Sequence, residues 1–198
     1  MNMKFFSVQT RATYTPPVNN IMSMGMTLRH IPVRQLPQSQ VIQEVPGKKV
    51  KWGEPTWFLF HTLSVKIKES HFQSIRSPLL NQIYAICVNL PCPDCANHAK
   101  TYLDGINFNT IQTKNDLKQF LYTFHNIVNK RKGYPLFPYE EVDKKYVMAN
   151  TTRIIQNFMT HFSDRNRGIK LLATDLYRQR LCETLKDWFN THISAFDV

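Results

Sequence analysis

Glycine is scarce in this chain of 198 residues, with only 6, and acidic residues number 14 against 25 Lys and Arg. So few glycines, among many helix-compatible residues, point to a helical fold. Four cysteines are too few for a disulfide-dense secreted scaffold. They suffice for one redox or metal pair and two bystanders. No apolar run approaches the roughly 18 residues of a membrane span. The opening "MNMKFF" runs into polar residues, not into the apolar core of a secretory signal. Neither an internal repeat nor a low-complexity tract is present. What remains is a chain with 42% apolar residues, able to bury a core, and a formal net charge of +11.

The charge is uneven. Residues 1–50 carry six basic residues against one acidic residue, Glu44. A basic surface favours anionic partners such as nucleic acid, phosphates or acidic lipid, although a merely basic protein shows the same balance. This segment, with "TPPVNN" and "LPQSQVIQEVPGKK", has no sustained helical period and reads as an irregular, basic N-terminal arm. Its Arg- and Ser-bearing, acid-poor composition weakly resembles an organelle transit peptide, and a surface-draped arm is the simpler reading.

From residue 51 the pattern becomes helical. "EPTWFLFHTLSVKIKE" sets Trp57, Phe60, His61, Ser64 and Val65 on one stripe. "SPLLNQIYAICVNL" predicts a helix capped by Ser77, with Pro78 in its first turn. After Pro91 a short helix over about 93–103 carries Cys92 and Cys95 at its start. "TKNDLKQFLYTFHNIVNKRK" opens with a capping-box pattern, Thr113 and Asp116, and keeps its period through Leu117, Phe120, Leu121, Phe124 and Val128. A turn at Gly133-Tyr134-Pro135 leads to a further helix in "PYEEVDKKYVMAN". Residues 151–198 continue as two helices, about 151–163 and 169–193. The second is expected to bury Leu171, Leu172, Leu176, Leu181, Leu185, Trp188 and Phe189. The expectation is an all-α chain: an arm over 1–50, a helical bundle over 51–150 and a helical C-terminal extension over 151–198.

"NLPCPDCANHAKTYL" carries the chemistry. A cysteine pair at a helix start meets unpaired N–H groups and the helix dipole, which favour a thiolate. A thioredoxin-like reading needs a βαβ context, and here a helix precedes the pair. Zinc is the competitor, through Cys92, Cys95, His98 and Cys87, although no second close-spaced pair exists. The local pattern leaves redox and zinc both open. A redox pair needs an electron acceptor, and an organic cofactor needs aromatic walls and phosphate-neutralising cations. Trp52, Trp57 and His61, then His125, Val128, Asn129 and Lys132 on one stripe, and Lys144, Lys145 and Tyr146 supply such groups.

In this order the stretches resemble the Erv/ALR-type FAD-linked sulfhydryl oxidases. The resemblance rests on Trp52-Gly53…Trp57…His61, on Pro91-Cys92-Pro93-Asp94-Cys95 and on His125-Asn126-Ile127-Val128-Asn129-Lys130-Arg131, with Lys145-Tyr146 at the spacing of a family basic-aromatic pair. It spans about residues 51–148. It implies a four-helix bundle with a short fifth helix, cradling FAD, commonly as a homodimer. It also implies oxidation of protein dithiols by O2 to disulfide and H2O2. Cys95 would be the thiolate nearest the flavin and Cys92 the interchange cysteine. The implied cofactor site comprises Trp52, Gly53, Trp57, His61, His98, Tyr102, His125, Asn126, Val128, Asn129, Arg131, Lys132, Lys145 and Tyr146, with no metal.

The chain departs from the family in lacking a second, distal cysteine pair. Cys87 and Cys182 have no close partner in sequence. Electrons would then reach Cys92–Cys95 directly from substrate thiols, from a thioredoxin-like carrier or from Cys182, which more simply reads as a buried bystander. Minimal-cysteine members of this kind are similar to those of large DNA viruses, which implies the host cytoplasm or the virion as location. The alternative from a different class is a zinc-stabilised helical module that binds nucleic acid or another acidic partner through its charge. A third is an FAD-bound scaffold of weak activity.

Overall fold

Helix boundaries follow from local chemistry wherever a side chain can satisfy the end of the backbone. A computed structural model describes residues 51–163 and 172–197, with side chains from residue 175 in the second stretch. Among the described residues there are seven α-helices: α1 (Gly53–Lys66), α2 (Glu69–Val88), α3 (Pro93–Asp104), α4 (Lys114–Lys132), α5 (Glu140–Tyr146), α6 (Thr151–Phe162) and α7 (Leu172–His192). The described residues are all-α. The expected N-terminal arm, and Leu171 with the start of the last helix, lie outside the described residues.

The start of α4 is the predicted capping box. Thr113 accepts from the Asp116 N–H at 3.1 Å, and the Asp116 carboxylate accepts from the Thr113 N–H at 2.9 Å. Its end is set by Gly133, which takes φ +69° in the left-handed region where a side chain is strained. Three cations, Lys130, Arg131 and Lys132, occupy the last turn, where they favour the negative end of the dipole.

The start of α2 differs from the sequence expectation. Ser77 does not cap it; the helix begins at Glu69 and runs through Pro78. A proline inside a helix removes one N–H and costs about 3 kcal/mol. The apolar rows on both sides outweigh that cost, because Phe72, Ile75, Leu79, Ile83 and Ile86 are all buried along one face. Each such side chain contributes about 1.5–3 kcal/mol on burial.

Helix α1 is not amphipathic. Leu59, Phe60, His61, Thr62, Leu63 and Ser64 are all buried, since α4, α5 and α6 pack around it. Its polar groups are met locally: Thr56 Oγ1 donates to the Trp52 carbonyl at 2.7 Å and Ser64 Oγ to the His61 carbonyl at 2.9 Å.

The C-terminal helices share this core. Ile155, Phe158 and Phe162 of α6 and Leu185 and Phe189 of α7 join the same apolar cluster as Leu59 and Leu63. The chain end is tied down beside α1, where Phe196 pairs with Ile67 and the Asp197 N–H donates to the Lys66 carbonyl at 2.8 Å. The expected face of α7 shifts over its first turns. Leu176 is 53% exposed, and buried Asp175 and Arg178, which pair with each other, take the inward positions.

Candidate active site

The short turn after α4 decides what stands over α1. Asn126 acts as a clamp: its Nδ2 donates to the Phe137 carbonyl at 2.9 Å, and its Oδ1 accepts from the Phe137 N–H at 2.8 Å. This folds residues 134–139 back along α4 and lays α5 against α1. Lys145 then stands 4.7 Å from the centroid of the Phe58 ring, and Tyr146 is buried edge-on to Phe58 at 5.3 Å.

Between α1, the end of α2, α3, α4 and α5 lies a cavity of about 440 Å³. One wall is aromatic. Trp57 stacks on His125 with ring centroids 4.1 Å apart and planes 11° from parallel, and meets Phe124 edge-on at 5.3 Å. Tyr102 of α3 stacks on Phe124 at 4.8 Å. Arg131, Lys132 and Lys145 also line the cavity, and among the described residues none of the three is in an ion pair. Cys95 opens onto this space from the first turn of α3, whereas Cys92 lies outside its lining.

The profile of the Erv1/Alr family matches residues 54–147. Residues 54–147 form an Erv1/Alr domain. The chain is similar to the FAD-linked sulfhydryl oxidase ERV1 of Oryza sativa subsp. japonica, 29% identical over 103 residues that cover 51% of this chain and 52% of the rice protein. The Arabidopsis thaliana protein of the same name is 29% identical over 101 residues, with the same coverage of each chain. A viral relative, the FAD-linked sulfhydryl oxidase of African swine fever virus, is 26% identical over 95 residues, covering 48% of this chain and 79% of its own. The chain thus spans about half the length of the plant relatives it matches. No solved structure matches it.

The Erv1/Alr domain gathers most of the residues singled out in the sequence. Trp52, Gly53, Trp57, His98, Tyr102, His125, Val128, Asn129, Arg131, Lys132, Lys145 and Tyr146 line the cavity with Cys95. Two do not reach it. Asn126 is occupied with Phe137, and fully buried His61 lies behind His125, its Nε2 2.9 Å from the His125 Nδ1. Sequence reasoning missed Phe58, Phe124, Tyr134, Leu90, Ala99 and Cys87, which also line it, as do Glu54, Thr56, Phe60 and Ile127. Phe124 and Cys87 were on predicted apolar faces, so the signal was present but read as core. Tyr134 sat in a turn, where no periodicity points inward.

Around the cysteines, burial outweighs the helix terminus. The Cys95 thiol is pushed up to about 12, first by burial and then by the neighbouring Cys92 sulfur, against the pull of Lys132 and Arg131. The expectation of a dipole-stabilised Cys95 thiolate is therefore not met in the reduced pair. Geometry adds to burial: Cys92 is the N-cap, and its sulfur, not that of Cys95, accepts the helix-terminal Cys95 N–H at 3.2 Å. Both cysteines are half-buried free thiols. Cys87 is fully buried and raised by desolvation, and Cys182 lies in the core cluster, away from the cavity lining. Among the described residues no three of His, Cys, Asp and Glu come together as a metal site. Nor is any described helix long and apolar enough to cross a membrane.

Burial keeps the two histidines neutral. His61 is held down to about 3 by desolvation, then by His125 and Lys145, and His125 to about 4 by desolvation and Lys145.

Proposed function

We propose that this chain is an FAD-dependent thiol oxidase, in which 2 R–SH + O2 give R–S–S–R + H2O2 through the Cys92–Cys95 pair. The observation that carries this reading is a redox-spaced cysteine opening onto an aromatic cavity edged by Arg131, Lys132 and Lys145, none of which is in an ion pair among the described residues. The lining fits the cofactor on its own chemistry. Flat rings at Trp57, His125 and Tyr102 suit a heteroaromatic ligand, and Arg131, Lys132 and Lys145 suit its phosphates. At Gly53 a Cβ would meet no protein atom within 4 Å, so protein packing does not demand glycine there and a ligand has room to approach.

The residues divide the work by position. With Cys92–Cys95 oxidised, a substrate thiolate attacks the Cys92 sulfur, which lies outside the cavity. Cys95 leaves as thiolate beside Lys132 and Arg131. The second substrate thiol then attacks the mixed disulfide, releasing the substrate disulfide and the Cys92 thiol. FAD held by Trp57, His125, Tyr102 and the three cations would supply the two-electron acceptor for the Cys92–Cys95 dithiol, with O2 as the final acceptor. With Cys87 and Cys182 both buried, the substrate dithiol, or a thioredoxin-like carrier, must reach Cys92 itself.

Purified protein titrated with FAD should turn yellow, retain the flavin through gel filtration and consume O2 with dithiothreitol, with H2O2 formed in equal amount. Protein that stays colourless and carries about one zinc would overturn the proposal in favour of a zinc-stabilised module.

A further inference from the structure

The His61–His125 pair has two possible proton arrangements, and they present opposite faces to the cavity. The observed contact joins Nε2 of His61 to Nδ1 of His125 at 2.9 Å, and one proton must lie between them. In the first arrangement His61 donates from Nε2, so His125 carries its own proton on Nε2. In the second His125 donates from Nδ1, so His61 must carry its proton on Nδ1 and the Nε2 of His125 is a bare acceptor.

The surroundings of His61 separate the two. Its ring is fully buried, and among the described residues its Nδ1 has no hydrogen-bond partner. The second arrangement would seal an unpartnered N–H in the interior, which is the rarer kind of orphan. The first leaves only a lone pair there. It also puts both rings in the Nε2–H form, which free neutral imidazole side chains already prefer. Both rings are uncharged, so no third arrangement with an imidazolium competes.

His125 belongs to the cavity. The ring lines that space, lies flat on Trp57, and among the described residues no protein group bonds its Nε2. We infer that His61 is a positioning residue: by donating from Nε2 to the Nδ1 of His125, it locks that ring in the tautomer that turns an N–H donor toward the bound ligand. The groove thereby offers a directional neutral donor, matched to a ring nitrogen, carbonyl or phosphate oxygen of FAD. Tyr146 and Phe137 pack against the buried ring, with centroids 5.0 and 6.2 Å from that of His61. The ligand identity rests on the oxidase reading; the proton assignment does not.

Imidazole nitrogen chemical shifts of histidine-labelled protein without FAD test the assignment directly. His125 should show a protonated Nε2 and an unprotonated Nδ1 at neutral pH. A protonated Nδ1 on His125, or fast averaging of the two forms, would overturn it. His61→Gln keeps a donor near the same position and should preserve both the His125 signature and FAD affinity. His61→Phe keeps ring volume without the donor; it should average the His125 tautomers and weaken FAD binding about five- to tenfold. FAD that binds wild type and His61→Phe equally, with the His125 spectrum unchanged, defeats the positioning role. FAD that fails to bind wild type, while the expected spectrum is present, defeats the flavin reading and supports the proton assignment.

Discussion

The two long walls of the cavity are built differently. The α3 wall is short and half-exposed: Cys95, His98 and Tyr102 sit on a helix of 12 residues that opens with exposed Pro93 and Asp94. The wall made by α1 and α4 is deep and chemically quiet. Trp57 and His125 stack there, and His61 stands behind them, fully buried and uncharged at neutral pH. On the proposed function, the difference separates exchange from holding. A thiol that must meet a foreign thiol needs access, whereas a surface that orients a flat ligand needs rigid, desolvated rings.

If that division is right, changes in the two walls should separate rate from binding. The largest effect belongs to Cys95→Ser, which should lower thiol-dependent O2 uptake by at least about 100-fold while leaving FAD affinity unchanged. A variant that still turns over normally would break the comparison at its reactive side. Next comes Trp57→Ala. It removes the ring stacked on His125 and should weaken FAD binding by at least about tenfold, measured by flavin fluorescence, with the turnover of FAD-saturated enzyme little changed.

A smaller effect concerns pH. Both histidines have pKa values lowered from 6.5 on folding, to about 3 and about 4, so the unfolded chain takes up protons first. Their contribution to stability is complete above pH 6.5 and is lost progressively as pH falls toward those lower values. The urea midpoint should therefore drop between pH 6.5 and pH 4, and drop less steeply in His61→Phe. Least of all, Lys100→Ala on the outer side of α3 breaks an exposed pair with Asp104 and should leave both Tm and O2 uptake within error of wild type.

Much of this was legible in the chain because its signals are local. The capping box of Thr113 and Asp116, the αL turn at Gly133 and the helix start after Pro91 are short-range hydrogen-bond and dihedral chemistry, and each appears where the residues placed it. Local signals misled where packing overrode them. Pro78 reads as a helix start, yet Phe72 and Ile75 carry α2 through it. Leu176 reads as buried, yet the face of α7 turns to bring in Asp175 and Arg178. The stripe on α1 reads as one-sided, yet α4, α5 and α6 bury most of the helix.

For the candidate site, residue types and order alone pointed to most of the groups that line the cavity: a cysteine pair at a helix start, tryptophan and histidine one turn apart, and a histidine helix ending in cations. Their roles relative to one another waited for the tertiary structure. His61 and His125 are 64 positions apart in sequence. Only the packing of α4 on α1 sets one ring at the cavity and the other behind it. The cysteines are three residues apart, yet the cap geometry gives the helix-terminal N–H to Cys92 and the cavity to Cys95. Composition and spacing act along the chain, while burial and hydrogen-bond direction exist only once distant segments exclude water from one another.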